Sequence, residues 1–160
     1  MSCNFELIEY ESFDGNFDTY YNFITKLFKD SFLNKTYYLF GKSIRDNDRL
    51  WHIISEGKIE EKRTLDFSRA KYINLLISIL TNPQCEKLCN EFYYYEKYHY
   101  KSGKKSIRAY IYCPNFKYLV ILEKRNFVYG IITAYPIETN HKHNKILEDL
   151  DFYKKKREPI

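Results

Sequence analysis

Two consecutive stretches in the last third of the chain constrain its fold most. Tyr118-Leu119-Val120-Ile121-Leu122 is continuously apolar, as expected of a strand covered on both faces. After a turn at Lys124-Arg125-Asn126, residues Phe127 to Tyr135 repeat with a period of two. That period sets Phe127, Tyr129, Ile131, Thr133 and Tyr135 on one face and Val128, Gly130, Ile132 and Ala134 on the other. Thr133 and Tyr135 then project together near the strand's end. Two neighbouring hydroxyls suit a site that grips a phosphate or a base, although Thr and Tyr are also simply good strand formers.

Upstream, Lys105 to Cys113 alternates, with Ile107, Ala109 and Ile111 inward and Arg108, Tyr110 and Tyr112 outward. Phe92 to Tyr98 is aromatic and extended, and Ser102-Gly103-Lys104 makes a turn. These segments predict an antiparallel meander of three or four strands. Helical spacing recurs over about 19–33, over 66–81 until Asn82-Pro83 stops it, and over about 142–157. Asp18 is the expected cap of the first helix. Asn4 to Tyr10 reads as an opening strand, and Tyr37–Phe40 with Lys42–Ile44 as an extended pair about Gly41. The result is one α+β domain, with residues 1–34 as an N-terminal strand and helix extension and 35–160 as the main body.

A formal net charge of +5 favours an anionic partner. With 17 Tyr and 12 Phe but few Gly and Pro, the chain reads as packed rather than disordered. Cys3, Cys85, Cys89 and Cys113 form no CxxC pair and read as reduced thiols of a cytoplasmic protein. No Cys/His or carboxylate set has metal-site spacing, so no metal or cofactor is expected. The acidic, polar opening residues do not read as a signal peptide, and no apolar run is long enough to span a membrane.

Two further side chains carry chemistry. His52 lies in the apolar segment Leu50-Trp51-His52-Ile53-Ile54-Ser55. It is either a hydrogen-bonded core histidine or a proton-exchanging group held by its neighbours. Arg69 stands on the rim of the 66–81 stripe, in the first turns, where backbone N–H groups favour anions.

Taken in order, Leu50–Ser55, Asp66–Ile73, Tyr118–Leu122 and Ile132–Tyr135 resemble phage- and toxin-associated nucleases of the Barnase–EndoU–colicin–RelE superfamily, over about residues 35–157. The resemblance implies N-terminal helices packed on a four-stranded antiparallel sheet, with a C-terminal helix, and metal-independent RNA cleavage by 2′-hydroxyl attack. It implies His52, Arg69, Thr133 and Tyr135 as the catalytic set. Lys71, Arg108 and His141 complete it as expected RNA contacts, Lys71 being either a second cation or solvent-facing. The second aromatic expected after Arg69 is missing, since Asn74 and Leu75 follow Ile73. The implied partners are RNA, with tRNA among the candidate substrates, and a cognate antitoxin or immunity protein. The competing expectation is a non-enzymatic antitoxin, immunity protein or inhibitor that acts by protein binding through exposed tyrosines.

Overall fold

The structure, a computed structural model, describes residues 6–83 and 92–154. It is α+β. The expected meander is present as β5 (Tyr93–Lys101), β6 (Lys104–Cys113), β7 (Tyr118–Lys124) and β8 (Val128–Pro136), each antiparallel to the next. The expected four strands are part of a larger, mixed sheet of six. A hairpin of β1 (Tyr38–Leu39) and β2 (Lys42–Arg45) joins it, with β2 running parallel to the start of β8. Phe40 and Gly41, both at positive φ, make the hairpin's two-residue turn. The parallel pairing was not legible because a four-residue strand carries too little pattern to choose a partner.

The first helix, α1 (Phe17–Phe28), is capped by Asn16 rather than Asp18: the Asn16 side chain accepts from the Thr19 amide at 3.1 Å. Beyond Phe28 the chain widens into a π turn, Lys29–Leu33. Of the expected opening strand, residues 6–9 have no regular structure and Tyr10 begins a 3-10 turn; Asn4 and Phe5 lie outside the described residues. Leu50–Ile54 is a short helix, α2, leading into a two-stranded ribbon of β3 (Ser55–Glu56) and β4 (Thr64–Leu65). The expected 66–81 helix is interrupted, giving α3 (Phe67–Ala70) and α4 (Ile73–Thr81). At the interruption Tyr72 stacks on Tyr118, ring centroids 5.3 Å apart. Asn82-Pro83 ends the helix as expected.

One sheet face carries the main core. Tyr20, Ile24 and Phe28 of α1 and Ile73, Leu76 and Leu80 of α4 pack on Ala109, Ile111, Val120 and Leu122. Each of the leucine, isoleucine, valine and phenylalanine side chains among them contributes about 1.5–3 kcal/mol on burial. The other face is covered too, as expected for residues 118–122 but not for β6, where Tyr112 was expected outward. The last helix, α5 (Asn140–Lys154), covers its lower half, burying Tyr95, Tyr112, Leu119 and Ile121 beneath Ile146. Tyr112 is fully buried, its hydroxyl 2.6 Å from His143 Nδ1. Alternation alone did not reveal this, because tyrosine serves equally on a wet or a dry face.

The strand that opened the sequence reading holds a further correction. Leu122 pairs with Ile131 but Ile121 pairs with Thr133, so Ile132 is an extra residue in β8. The bulge exchanges the two faces. Tyr129, Ile131 and Ala134 point into the main core, whereas Thr133 and Tyr135 lie on the α5 face with Ile121 and Leu119. Thr133 and Tyr135 do share a face, but not that of Tyr129 and Ile131.

Of the cysteines, Cys113 is buried and unpaired; Cys3, Cys85 and Cys89 lie outside the described residues, as do Lys155 to Arg157. Among the described residues no helix is long and apolar enough to cross a membrane.

Candidate functional site

Because β2 is short, its ladder with β8 ends at Gly130, and the rest of that β8 edge is left to α2 and its flanks. Arg49, the residue before α2, donates from Nε to the Ile132 carbonyl at 2.9 Å. Arg63 then ties α2 to the ribbon. Its Nη2 donates to the carbonyls of Ser55 (2.7 Å) and His52 (2.9 Å), its Nη1 to Gly57, and its Nε to the Ser55 hydroxyl. Ser55, fully buried, donates in turn to the Trp51 carbonyl. Arg69 reaches the same segment, donating to the Ser55 carbonyl at 3.2 Å while pairing with Asp66 at 3.4 Å. Three guanidinium groups therefore surround the segment that carries His52.

His52 is half-buried, and Trp51 turns away to meet Tyr21 edge-on. Burial lowers the imidazole's affinity for a proton, and Arg49 and Arg63 lower it further; Glu60 opposes them, and Arg69 adds the smallest lowering influence. A lowered pKa keeps His52 neutral at pH 7, the form that accepts a proton. Tyr135 is shifted oppositely. Burial raises its hydroxyl above the ordinary value, Tyr110 adds to this, and Lys97 and Arg69 draw it partly back. Tyr135 therefore keeps its proton. Arg69 acts on both groups, as the smallest influence on each.

On the α5 face a cleft of about 420 Å³ opens between the sheet and the helix. Tyr95, Tyr110 and Tyr135 line it with Lys97, His141 and Lys145. Tyr95 and Tyr110 stack almost parallel at 4.9 Å, and Lys97 lies 5.0 Å from the Tyr110 ring centroid. Asp149 bridges Lys97 and Lys145 at 3.0 and 3.1 Å. This binds the cleft's cations to one another and to α5.

The expected site residues divide accordingly. His52 and Arg69 lie at the α2–α3 end, beside the β8 edge that α2 and its flanks cover. Thr133 and Tyr135 lie on the α5 face of that strand, and Tyr135 and His141 line the cleft. Lys71 stands apart, 5.7 Å from the Tyr72 ring centroid. Arg108 lies farther along the α5 face, between Lys97 and Glu123 in the ladder, its Nε buried without a hydrogen-bond partner. The sequence reading missed Arg49, Arg63 and the Tyr95–Tyr110 pair. Only the last had a signal, in period-two tyrosines on two paired strands. Among the described residues no group of three or more His, Cys, Asp or Glu side chains is placed to share a metal ion. Comparison with protein-family models, with curated proteins and with solved structures finds no match.

Proposed function

We propose that this chain is an endoribonuclease that needs no metal and works where α2 and α3 meet β8. What supports the reading is that Arg49 ties the segment holding His52 and Arg69 to the β8 bulge beside Thr133, while burial keeps His52 neutral and Tyr135 protonated. His52, neutral, removes the proton of an RNA 2′-hydroxyl. The 2′-oxygen bonds to the adjacent phosphorus, the bond to the 5′-oxygen breaks, and Tyr135 gives its proton to that leaving oxygen. Arg69 and the Thr133 hydroxyl donate to the phosphorane oxygens as charge grows there. The products are a 2′,3′-cyclic phosphate and a 5′-hydroxyl.

One observation favours a non-enzymatic binding protein instead. Arg49, Arg63 and Arg69 all donate to main-chain carbonyls, the work of residues that hold a fold together. The two readings separate in one assay. The purified chain is incubated with total tRNA in excess chelator, with His52→Ala as comparator. The nuclease reading expects discrete fragments from the parent and a loss of about 10²–10⁴-fold in rate from the variant. Intact RNA in both samples favours the binding protein.

A further inference from the structure

The chain's formal charge of +5 comes from 26 basic and 21 acidic residues. Residues 97–108 alone carry Lys97, Lys101, Lys104, Lys105 and Arg108 with no acidic residue, which is +5 for this segment, so the remainder of the chain sums to zero. The segment is the distal half of the β5–β6 hairpin. The last rung shared with β7 is Ile107 with Lys124, and beyond it the pairs His99–Ser106, Tyr100–Lys105 and Lys101–Lys104 bond only to each other. A tight turn with Ser102 and Gly103 at positive φ closes the tip. Three of these five cations, Lys101, Lys104 and Lys105, therefore sit on an arm projecting past the last rung with β7, with Lys97 and Arg108 at its base.

The two faces of the arm differ. Tyr98 and Tyr100, 54% and 68% exposed, stand on one face, with Lys105 Nζ 3.8 Å from the Tyr98 ring centroid. Lys101 and Lys104 stand on the other with His99 and Arg108, and that face continues through Lys97 into the cleft under α5. Among the described residues Lys101, Lys104, Lys105 and Arg108 pair with no carboxylate. Lysine on an edge strand commonly prevents sheets from joining. That accounts for the charges but not for two exposed tyrosines, which on a bare edge invite the association that lysine resists.

We infer that the β5–β6 arm binds a single-stranded polynucleotide, with bases stacked on Tyr98 and Tyr100 and phosphates held by Lys101, Lys104 and Lys105. Stacking is available to any unpaired base, with Lys105 beside the rings and Lys101 and Lys104 at the arm's tip to hold the strand's phosphates. A duplex hides its base faces, and an acidic peptide has no use for the rings. The inference does not rest on cleavage, because such an arm serves a nuclease and a non-enzymatic RNA binder alike.

The test is fluorescence anisotropy of the full chain with a labelled short oligouridylate in chelator, over a range of salt. A duplex of the same length and polyglutamate serve as competitors. Replacing Lys101, Lys104 and Lys105 together by Gln should weaken binding and flatten the slope of log affinity against log salt by about 2, at roughly 0.7 per phosphate contact. Tyr98→Ala with Tyr100→Ala should weaken binding roughly tenfold or more and leave the slope unchanged. Circular dichroism matching the parent shows that the variants are folded. Oligouridylate bound equally by the parent and both variants overturns the inference. So does a parent whose binding ignores salt, or polyglutamate competing as well as unlabelled oligouridylate.

Discussion

Arg49 Nε donates to the carbonyl of Ile132 at 2.9 Å, and Ile132 is the residue that the β7–β8 ladder passes over. The bond fastens the start of α2 to the bulge that turns Thr133 and Tyr135 toward α5. It also sets a guanidinium beside His52. One contact thus joins the strand irregularity to the electrostatics of the histidine.

Arg49→Gln should therefore be felt twice. Loss of a charged donor to a half-buried carbonyl is expected to cost about 1–2 kcal/mol, read as a lower urea midpoint with unchanged slope. Because Arg49 helps hold the His52 pKa down, the imidazole should titrate at higher pH in the variant. NMR titration of the ring protons measures this. An unmoved His52 pKa separates the two residues.

Deleting Ile132 tests the bulge from the other side. With the extra residue gone, the pairs Leu122–Ile131 and Ile121–Thr133 become consecutive rungs, so a regular ladder keeps Ile131 and Ala134 on the core face and Thr133 and Tyr135 on the α5 face. What is lost is the carbonyl that Arg49 holds and the partly buried Ile132 side chain, so a cost of about 2–3 kcal/mol is expected in urea denaturation. A stability equal to the parent's would mean that the Arg49 anchor contributes nothing.

The bulge also marks where the sequence stops being legible. The meander was readable because Ile107, Ala109 and Ile111 alternate and residues 118–122 are apolar throughout. A bulge leaves no such trace: Gly130-Ile131-Ile132-Thr133 keeps its alternation on paper while the backbone exchanges faces. The covering of Tyr112 by α5 was hidden for a related reason, since a tyrosine hydroxyl is satisfied as well by His143 as by water. His52, Arg69, Thr133 and Tyr135 could be picked out by residue type, but the arginines around His52 could not. Arg49 and Arg63 act through main-chain carbonyls, which no side-chain pattern reports.

Arg63 is the firmest single support of the α2–β3 segment. Arg63→Ala removes the donor to the buried Ser55 hydroxyl and to the His52 carbonyl, leaves Arg69 alone on the Ser55 carbonyl, and should cost roughly 3 kcal/mol in chemical denaturation. Arg63→Lys should rescue little of this, because an ammonium cannot reproduce the planar fork. Full recovery with Lys would reduce the interaction to charge alone.

Acid sensitivity follows from His52. Its folded-state pKa lies below the ordinary 6.5. Between those values the unfolded chain binds more protons, so stability rises with pH there and its His52 penalty is gone above about 6.5. Removing that imidazole in His52→Gln should flatten this part of the profile in urea titrations. An unchanged profile would assign the slope to other groups.

Alkaline sensitivity has the opposite sign. Burial raises the hydroxyl pKa of Tyr20, Tyr94, Tyr95 and Tyr118, and that of Tyr112 up to about 12. Their contribution is complete below the ordinary value of about 10 and declines as pH rises through the folded-state values. Tyrosinate absorbance should appear in two stages, exposed rings first and buried rings together with loss of far-ultraviolet circular dichroism. A single stage completed while the fold persists would contradict the assignment of these rings to the interior.

The most direct test of the proposed chemistry uses an oligonucleotide in which one position keeps its 2′-hydroxyl and every other is 2′-deoxy. It is incubated with the parent chain in excess chelator, and the product ends are identified by mass. The account predicts one cut, on the 3′ side of the lone ribose, leaving a 2′,3′-cyclic phosphate on one fragment and a 5′-hydroxyl on the other. Cleavage at deoxy positions, a 5′-phosphate end, or an intact strand under conditions where the arm binds it would contradict His52 and Tyr135 as the proton-transfer pair.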